Sequence, residues 1–290
     1  MIINGDIKYK ILEVLAIAEI IAIEYGHTKK FGKHYVALVI KQLNGEISDR
    51  ELAEFLMNDE IGRILGYKQE FSFTIFSKLR KESTIKEAME KILNIIINSK
   101  IKNKQVRLVV IDSTDISAYS SNDKDAKYGH RTPSKKEQRT LKKGTKTMFF
   151  GYKLHLMADA KSEIPLSEEV IAANRHDKTV FHKLYNKVKE FVYINPFIKP
   201  KLLADSAYDA TDIYEELHYD GMEPLIAMNG RRFYKSTKPK DPEYGKRWAI
   251  ERIFSRLKEK FGFRKNRLIG YTKVAAHAIA CIIAYIIYYI

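Results

Sequence analysis

The stretch VRLVVIDST, Val106 to Thr114, decides the fold. Leu108 to Ile111 form an unbroken apolar run that ends at Asp112. A short continuous apolar run bounded by turn formers reads as a strand buried in a sheet. KPKLLADSAYD, 199–209, repeats the pattern and ends at Asp205. Ligand sites of open α/β sheets form outside the carboxyl ends of the strands. If these two strands are neighbours, their carboxylates meet there. Each aspartate alone also fits a turn residue, because Asp-Ser-Thr-Asp is rich in turn formers. Asp115 and Asp209 are nearby rivals that lie past the expected strand ends.

Residues on the N-terminal side of this strand read as helical. Apolar periodicity runs through YKILEVLAIAEIIAIEYG, HYVALVIKQL, SDRELAEFLMNDEIGRILGY and ESTIKEAMEKILNIIINSK. Ser48 with Glu51 three residues on has the form of a capping box. FSFTIFSKLRKE fits a short helix of a helix-turn-helix, without a clear recognition helix. The polar run 98–104 marks a boundary, so the expected domains are 1–100, all helical, and 101–290.

After Asp112 the chain alternates. A basic loop, 121–147, leads to a strand pair in FFGYKLHLMADA (149–160) and IPLSEEVIAA (164–173), with a turn at AKSE. A helix over 177–192, the strand before Asp205, a helix closed by Gly221, the strand EPLIAM and two further helices follow. The expected class is α/β: a mixed sheet flanked by helices, with one antiparallel pair in an otherwise parallel sheet, preceded by the all-α domain. His155 alternates with apolar neighbours and reads as a sheet-face residue. Both histidines, His155 and His176, also suit a zinc or general-base role; Asp177 reads as a helix N-cap and His176 as a loop residue that can approach the site, and neither is taken as a ligand.

YGKRWAIERIFSRLK, 244–258, carries a third acid. At about 100° per residue, Tyr244, Arg247, Glu251 and Lys258 point in nearly one direction. Ile250, Phe254, Leu257 and Phe261 form the buried stripe beside them. A surface helix with an Arg247–Glu251 ion pair, worth a few tenths of a kcal/mol, shows the same pattern. If Glu251 instead joins Asp112 and Asp205, three carboxylates converge and repel unless a cation sits among them. Oxygen-only ligands suit magnesium or manganese.

Charge names the partner. The net charge is +15 over 290 residues. Residues 1–100 are nearly neutral, with 15 basic and 14 acidic side chains. The excess falls in 121–147, with nine basic and three acidic residues, and in 229–273, with fifteen and four. Such blocks are the electrostatic footprint of a nucleic-acid binder. The single cysteine, Cys281, excludes a disulfide framework and a cysteine-based zinc site, and fits a reducing cytoplasm. The N-terminus shows no apolar leader region. The C-terminal run VAAHAIACIIAYIIYYI has 17 residues where a membrane span needs about 20, and reads as a buried core helix.

Taken together these segments resemble the DDE transposases of bacterial and archaeal insertion sequences, in the group whose last motif is Tyr-(2)-Arg-(3)-Glu-(6)-Lys. Tyr244, Arg247, Glu251 and Lys258 match that spacing. VVIDST resembles the first-Asp motif, DAKYGH with FFGYKLHLMAD the second-strand region, LLADSAYD the second-Asp motif, and RLIGYTKVAAHAIACIIAYII the C-terminal helix. SDRELAEFLMNDEIGRILGY and FSFTIFSKLRKE resemble the helical segment that precedes the catalytic domain in relatives. The resemblance implies an RNase H-like catalytic fold and a triad of Asp112, Asp205 and Glu251 holding Mg2+, with Mn2+ as a substitute. It implies DNA contacts by Tyr244, Arg247 and Lys258, to which the basic character of the chain adds Arg252, Lys142 and Lys143. It implies cleavage at the element ends by water to free a 3′-hydroxyl, then strand transfer into target DNA. The expected partner is double-stranded DNA, held by a homodimer across paired ends and without a membrane. The expected location is the cytoplasm, at the nucleoid. A structure-selective nuclease of the same fold and a DNA-binding remnant are the competing readings. Only 46 positions separate Asp205 from Glu251, too few for the large β-rich insertion of some relatives.

Overall fold

The structure is a computed structural model that describes residues 5–45, 47–67, 71–101, 105–131, 133, 139–140, 147–192, 197, 199–230 and 237–290. Lys142 and Lys143 lie outside the described residues. The chain divides into two compact units. One holds Met1–Asn103, Ser255–Lys265 and Thr272–Ile290, and the other holds Lys104–Phe254 and Asn266–Tyr271. This division does not follow the expected 1–100 and 101–290, because the C-terminal helix groups with the N-terminal helices.

The first unit is helical. Its elements are α1 (Gly5–Glu24), α2 (Gly32–Leu43), α3 (Asp49–Asn58), α4 (Glu60–Ile64), α5 (Thr74–Leu79) and α6 (Ile85–Ile101). The single helix expected over 48–67 is broken at Asp59. That residue is extended, with ψ 152°, and its side chain accepts from the Ile61 N–H to start α4. The Ser48–Glu51 capping box is present, with both reciprocal hydrogen bonds. Such a cap contributes about 1 kcal/mol. Later in the chain come α9 (Trp248–Lys260), whose last turns belong to this unit, and α10 (Tyr271–Tyr289). Every residue of α10 from Val274 to Ile287 is buried. The Cys281 thiol lies 3.3 Å from the Phe261 carbonyl. The apolar run therefore serves as a core helix: it buries about 1.5–3 kcal/mol per large aliphatic side chain.

The second unit is built on one six-stranded sheet. Its strands are β1 (Leu108–Ser117), β2 (Lys127–Arg131), β3 (Thr147–Asp159), β4 (Pro165–Ala172), β5 (Lys201–Ala204) and β6 (Glu223–Ile226). The order is β2-β3-β1-β5-β6, and β4 also pairs with β3. Three pairings are antiparallel, β1–β3, β2–β3 and β3–β4, and two are parallel, β1–β5 and β5–β6. The sheet is mixed, as expected, but more of it is antiparallel than the expected single pair. β3 is long enough to serve both β2 and β4 along one edge. The change of partner falls at Gly151, with φ 157°, where an added Cβ would stand 2.1 Å from the Ile116 carbonyl oxygen. Only glycine allows that approach.

Two sequence expectations change here. β1 does not end at Asp112 but runs five residues further, because β3 keeps pairing with it out to Ser117↔Gly151. The segment 121–147 is not all loop, since Lys127–Arg131 is drawn into β2 by β3. Of the remaining helices, α7 (Phe181–Val188) packs on β4 and β3, and α8 (Thr211–Tyr219) packs on β6.

Candidate active site

Parallel pairing of β1 with β5 sets the first two acids. Leu108, Val109 and Val110 pair with Lys201, Leu202 and Leu203. Carried two residues further, this register brings Asp112 level with Asp205. β5 stops at Ala204, and Asp205 caps a short 3-10 turn, Ser206–Tyr208, by accepting from the Ala207 N–H at 2.9 Å. Asp112 sits inside β1, where its Oδ1 accepts from the Ser113 N–H at 2.7 Å.

The third acid arrives on α9. Tyr244 and Arg247 are not on that helix, as the sequence periodicity suggested, but on a 3-10 segment, Pro242–Arg247, that leads into it. Asp241 starts this segment by accepting from the Glu243 N–H at 2.7 Å, with Pro242 in the first turn. Lys201, the first residue of β5, holds Asp241 at 2.6 Å. The Tyr244 hydroxyl donates to the Ala204 carbonyl at 3.1 Å, beside Asp205. The segment is thus tied to β5 at both ends of the strand.

Arg247 is the centre of the arrangement. Its Nη1 donates to Asp112 Oδ2 at 2.6 Å and its Nη2 to Glu251 Oε1 at 2.7 Å. One guanidinium fork therefore bridges two carboxylates 139 positions apart in the chain. The Asp112 side chain is 19% exposed and that of Glu251 53%. Burial pushes the Asp112 carboxyl up to about 7, helped by the Asp205 charge and opposed by Arg247. Burial also raises Asp205. The Ala207 N–H holds it back, and the Asp177 charge raises it further.

The sequence did not single out the layer beneath. Asp177 accepts from Lys153 Nζ at 2.7 Å and from the Ser113 hydroxyl at 3.0 Å. His155 is fully buried, with Nδ1 3.0 Å from the Tyr208 hydroxyl and Nε2 3.9 Å from Asp177. Burial lowers His155 to about 4, so the ring is neutral. The sheet-face reading of His155 was right about the strand, but the face is the one under the acids. Asp177 does open a 3-10 turn, Asp177–Val180, yet its side chain turns to β1 and β3. The only signal in the sequence was the RHD cluster at 175–177.

The remaining expected residues lie elsewhere. Arg252 pairs with Glu163 in the β3–β4 turn, through Nε at 2.6 Å and Nη2 at 2.5 Å. Glu163 holds a left-handed φ of 58° there. Lys258 is half-buried two turns after Glu251 on α9.

Among the described residues no group of three or more His, Cys, Asp or Glu stands ready to hold a metal ion. The donors at the site are all oxygens, and both aspartates bind a proton more tightly than usual, chiefly through burial. Asp112 and Asp205 thus fit a hard divalent cation. Glu251, engaged by Arg247, stands outside such a group.

The profile of the transposase DDE domain family matches residues 104–287. Among solved structures, a cryo-EM structure of piggyBac transposase in a synaptic complex with hairpin DNA is similar, with a TM-score of 0.51 and 12% sequence identity. The match covers 90% of this chain and 66% of that one, so this chain spans slightly under two thirds of its length. At that identity the likeness is one of fold. Mos1 transposase in a paired-end complex with the left transposon end has 14% identity and 74% coverage of each chain, with a TM-score of 0.24 that carries no weight. No curated protein matches. The profile match spans more than half the chain and includes β1, β5 and α9 with their acids, and the chain belongs to the DDE-domain transposase family.

Proposed function

We propose that this transposase cleaves DNA at the ends of an insertion sequence and joins the freed 3′-hydroxyl to target DNA, with Asp112, Asp205 and Glu251 as its catalytic acids. The observation that carries this reading is the Arg247 fork between Asp112 and Glu251, with Asp205 directly after the neighbouring parallel strand. A cation already bridges two of the three acids across the mouth of β1 and β5.

Asp112, Asp205 and, once Arg247 releases it, Glu251 would hold Mg2+ or Mn2+. Bound there, the ions would supply Lewis acidity to both the attacking and the leaving oxygens of a phosphodiester. Arg247, freed from the acids, has a planar fork that matches a phosphate. Tyr244 lies on the same 3-10 segment, anchored beside Asp205. Lys258 extends the basic row along α9 toward flanking phosphates, and the basic segment 121–147, Lys142 and Lys143 among its residues, adds further positive charge for DNA. Arg252 reaches DNA only by leaving Glu163. Two copies holding two ends is the assembly this chemistry calls for. A mixed sheet covered by helices gives the carboxylates a rigid base, which phosphoryl transfer by positioning demands.

The test is Mg2+-dependent cleavage of linear DNA carrying the native element ends, with Glu251→Gln run alongside. Cleavage at the end junction, followed by joining, that is lost by at least 100-fold in the variant is the expected result. Cleavage without joining points to a nuclease instead. Binding without cleavage under either Mg2+ or Mn2+ overturns the catalytic reading.

A further inference from the structure

One carboxylate outside the expected triad ties two strands together at the site. Asp177 accepts from Ser113, the residue after Asp112 on β1, at 3.0 Å. It accepts from Lys153 on β3 at 2.7 Å. The 3-10 turn it opens, Asp177–Val180, packs on the turn Ser206–Tyr208 that Asp205 caps. Its side chain is 16% exposed, so these bonds act with little competition from water.

Beneath it is a buried ring nitrogen that makes no hydrogen bond. His155 is 0% exposed, and its Nε2 has no hydrogen-bond partner. Tyr208, fully buried two residues after Ser206, has its hydroxyl 3.0 Å from Nδ1. With that hydroxyl donating, the imidazole proton sits on Nε2, facing Asp177 Oδ1 at 3.9 Å. That gap is too long for a hydrogen bond. The proton still faces the carboxylate, and a shift of Asp177 by less than 1 Å closes the contact.

We propose that Asp177 is a positioning residue: by gripping Ser113 and Lys153 while its turn packs behind Asp205, it sets the spacing of Asp112 and Asp205. The role rests on the reading of those two aspartates as the cation-holding pair. The side-chain hydrogen bonds of Asp177 go to Ser113 and Lys153. It acts through the backbone on either side of the pair, and His155 and Tyr208 form the floor against which it is held.

The test measures Asp177→Asn in two ways. The first is Mn2+ uptake by the full chain without DNA, read from the EPR signal of free Mn2+. The second is single-turnover cleavage of element-end DNA, with end binding measured separately. Asparagine keeps the shape but loses the charge that holds Lys153. The expected result is a Mn2+ half-saturation raised at least threefold, cleavage slowed at least tenfold at fixed Mg2+ and partly restored at high Mg2+, and end binding within twofold of the parent. Asp177→Glu, which keeps the charge, should fall between the two. Ser113→Ala removes one link only and reads the same effect in smaller measure if Asp177→Asn does not fold. Unchanged Mn2+ half-saturation in folded Asp177→Asn or Ser113→Ala overturns the proposal. If the parent binds Mn2+ but does not cleave, the transposition reading falls while the Mn2+ titration still decides Asp177. A parent that takes up no Mn2+ overturns the positioning role together with the cation site.

Discussion

Asp112 was legible from LVVI followed by an acid, but its chemistry depends on what folding brings near it. Its ordinary carboxyl value is 3.8, and burial beside Asp205 takes it to about 7 in the fold. Between those values the folded state keeps a proton that the unfolded chain releases. Stability from this site is therefore full below about pH 4 and is lost as the pH rises to 7, with a slope on the order of 1.4 kcal/mol per pH unit. In metal-free protein, Asp112→Asn should remove that loss. Its melting temperature should exceed the parent's at pH 8 and match it near pH 4, while end cleavage disappears. An equal gap at both pH values would sink the argument. Adding Mg2+ should narrow the gap at pH 8, because a cation favours the ionised acid. Glu251 was legible by its spacing from Arg247, which the fold realises as one side of a fork. Asp177 was not, because an acid after a loop histidine has no pattern that separates a cap from a buried brace.

Strands and helices were mostly legible, since periodicity and caps are local properties. Their ends and pairings were less so. β1 overran its expected end because a partner strand was present to extend it, and β2 appeared in a segment whose charge suggested only loop. Gly151 marks where these long-range pairings meet. A methyl there would stand 2.1 Å from the Ile116 carbonyl oxygen. Gly151→Ala should push β1 and β3 apart at their Ser117–Gly151 end and destabilise the protein by about 2–3 kcal/mol. Urea unfolding followed by tyrosine and tryptophan fluorescence reads that change. A variant within about 0.5 kcal/mol of the parent would show that the strands part at little cost. The 3-10 segment before α9 has the same lesson. Tyr244 and Arg247 have helical spacing on paper, but Pro242 and the Asp241–Lys201 pair set a tighter turn.

Across the whole molecule, buried histidines set the response to acid. His34, His155 and His277 are each held neutral by burial, with values lowered to about 4 from 6.5. The unfolded chain takes up protons at these positions below about pH 6.5 while the folded chain does not. Stability is therefore full above that pH and falls as the pH drops toward 4. Asp112, Asp205 and His182, which Asp212 and Glu216 hold in its charged form, act the other way, but of these only Asp112 is shifted as far as each buried histidine, so the net slope from pH 4 to 6.5 is upward. Denaturant midpoints at pH 5 and pH 7 should differ, with pH 7 the more stable. His277→Gln, in the buried α10, should flatten the difference whether or not it lowers stability at pH 7. A midpoint that rises as the pH falls to 5 would contradict the count.

The sequence by itself determined the family and the class of fold, and it offered the three acids with their arginine as candidates. These follow from local apolar runs, residue spacing and charge, which a chain carries before it folds. Only the tertiary structure decided that β1 and β5 lie side by side in register, that Arg247 bridges Asp112 to Glu251, and that Asp177 and His155 underlie them. It also decided that the apolar C-terminal run is a core helix grouped with the N-terminal helices. Each of these depends on contacts between residues far apart in the chain. Their cost in chain entropy is met only when the whole sheet or bundle forms, and no local pattern encodes that.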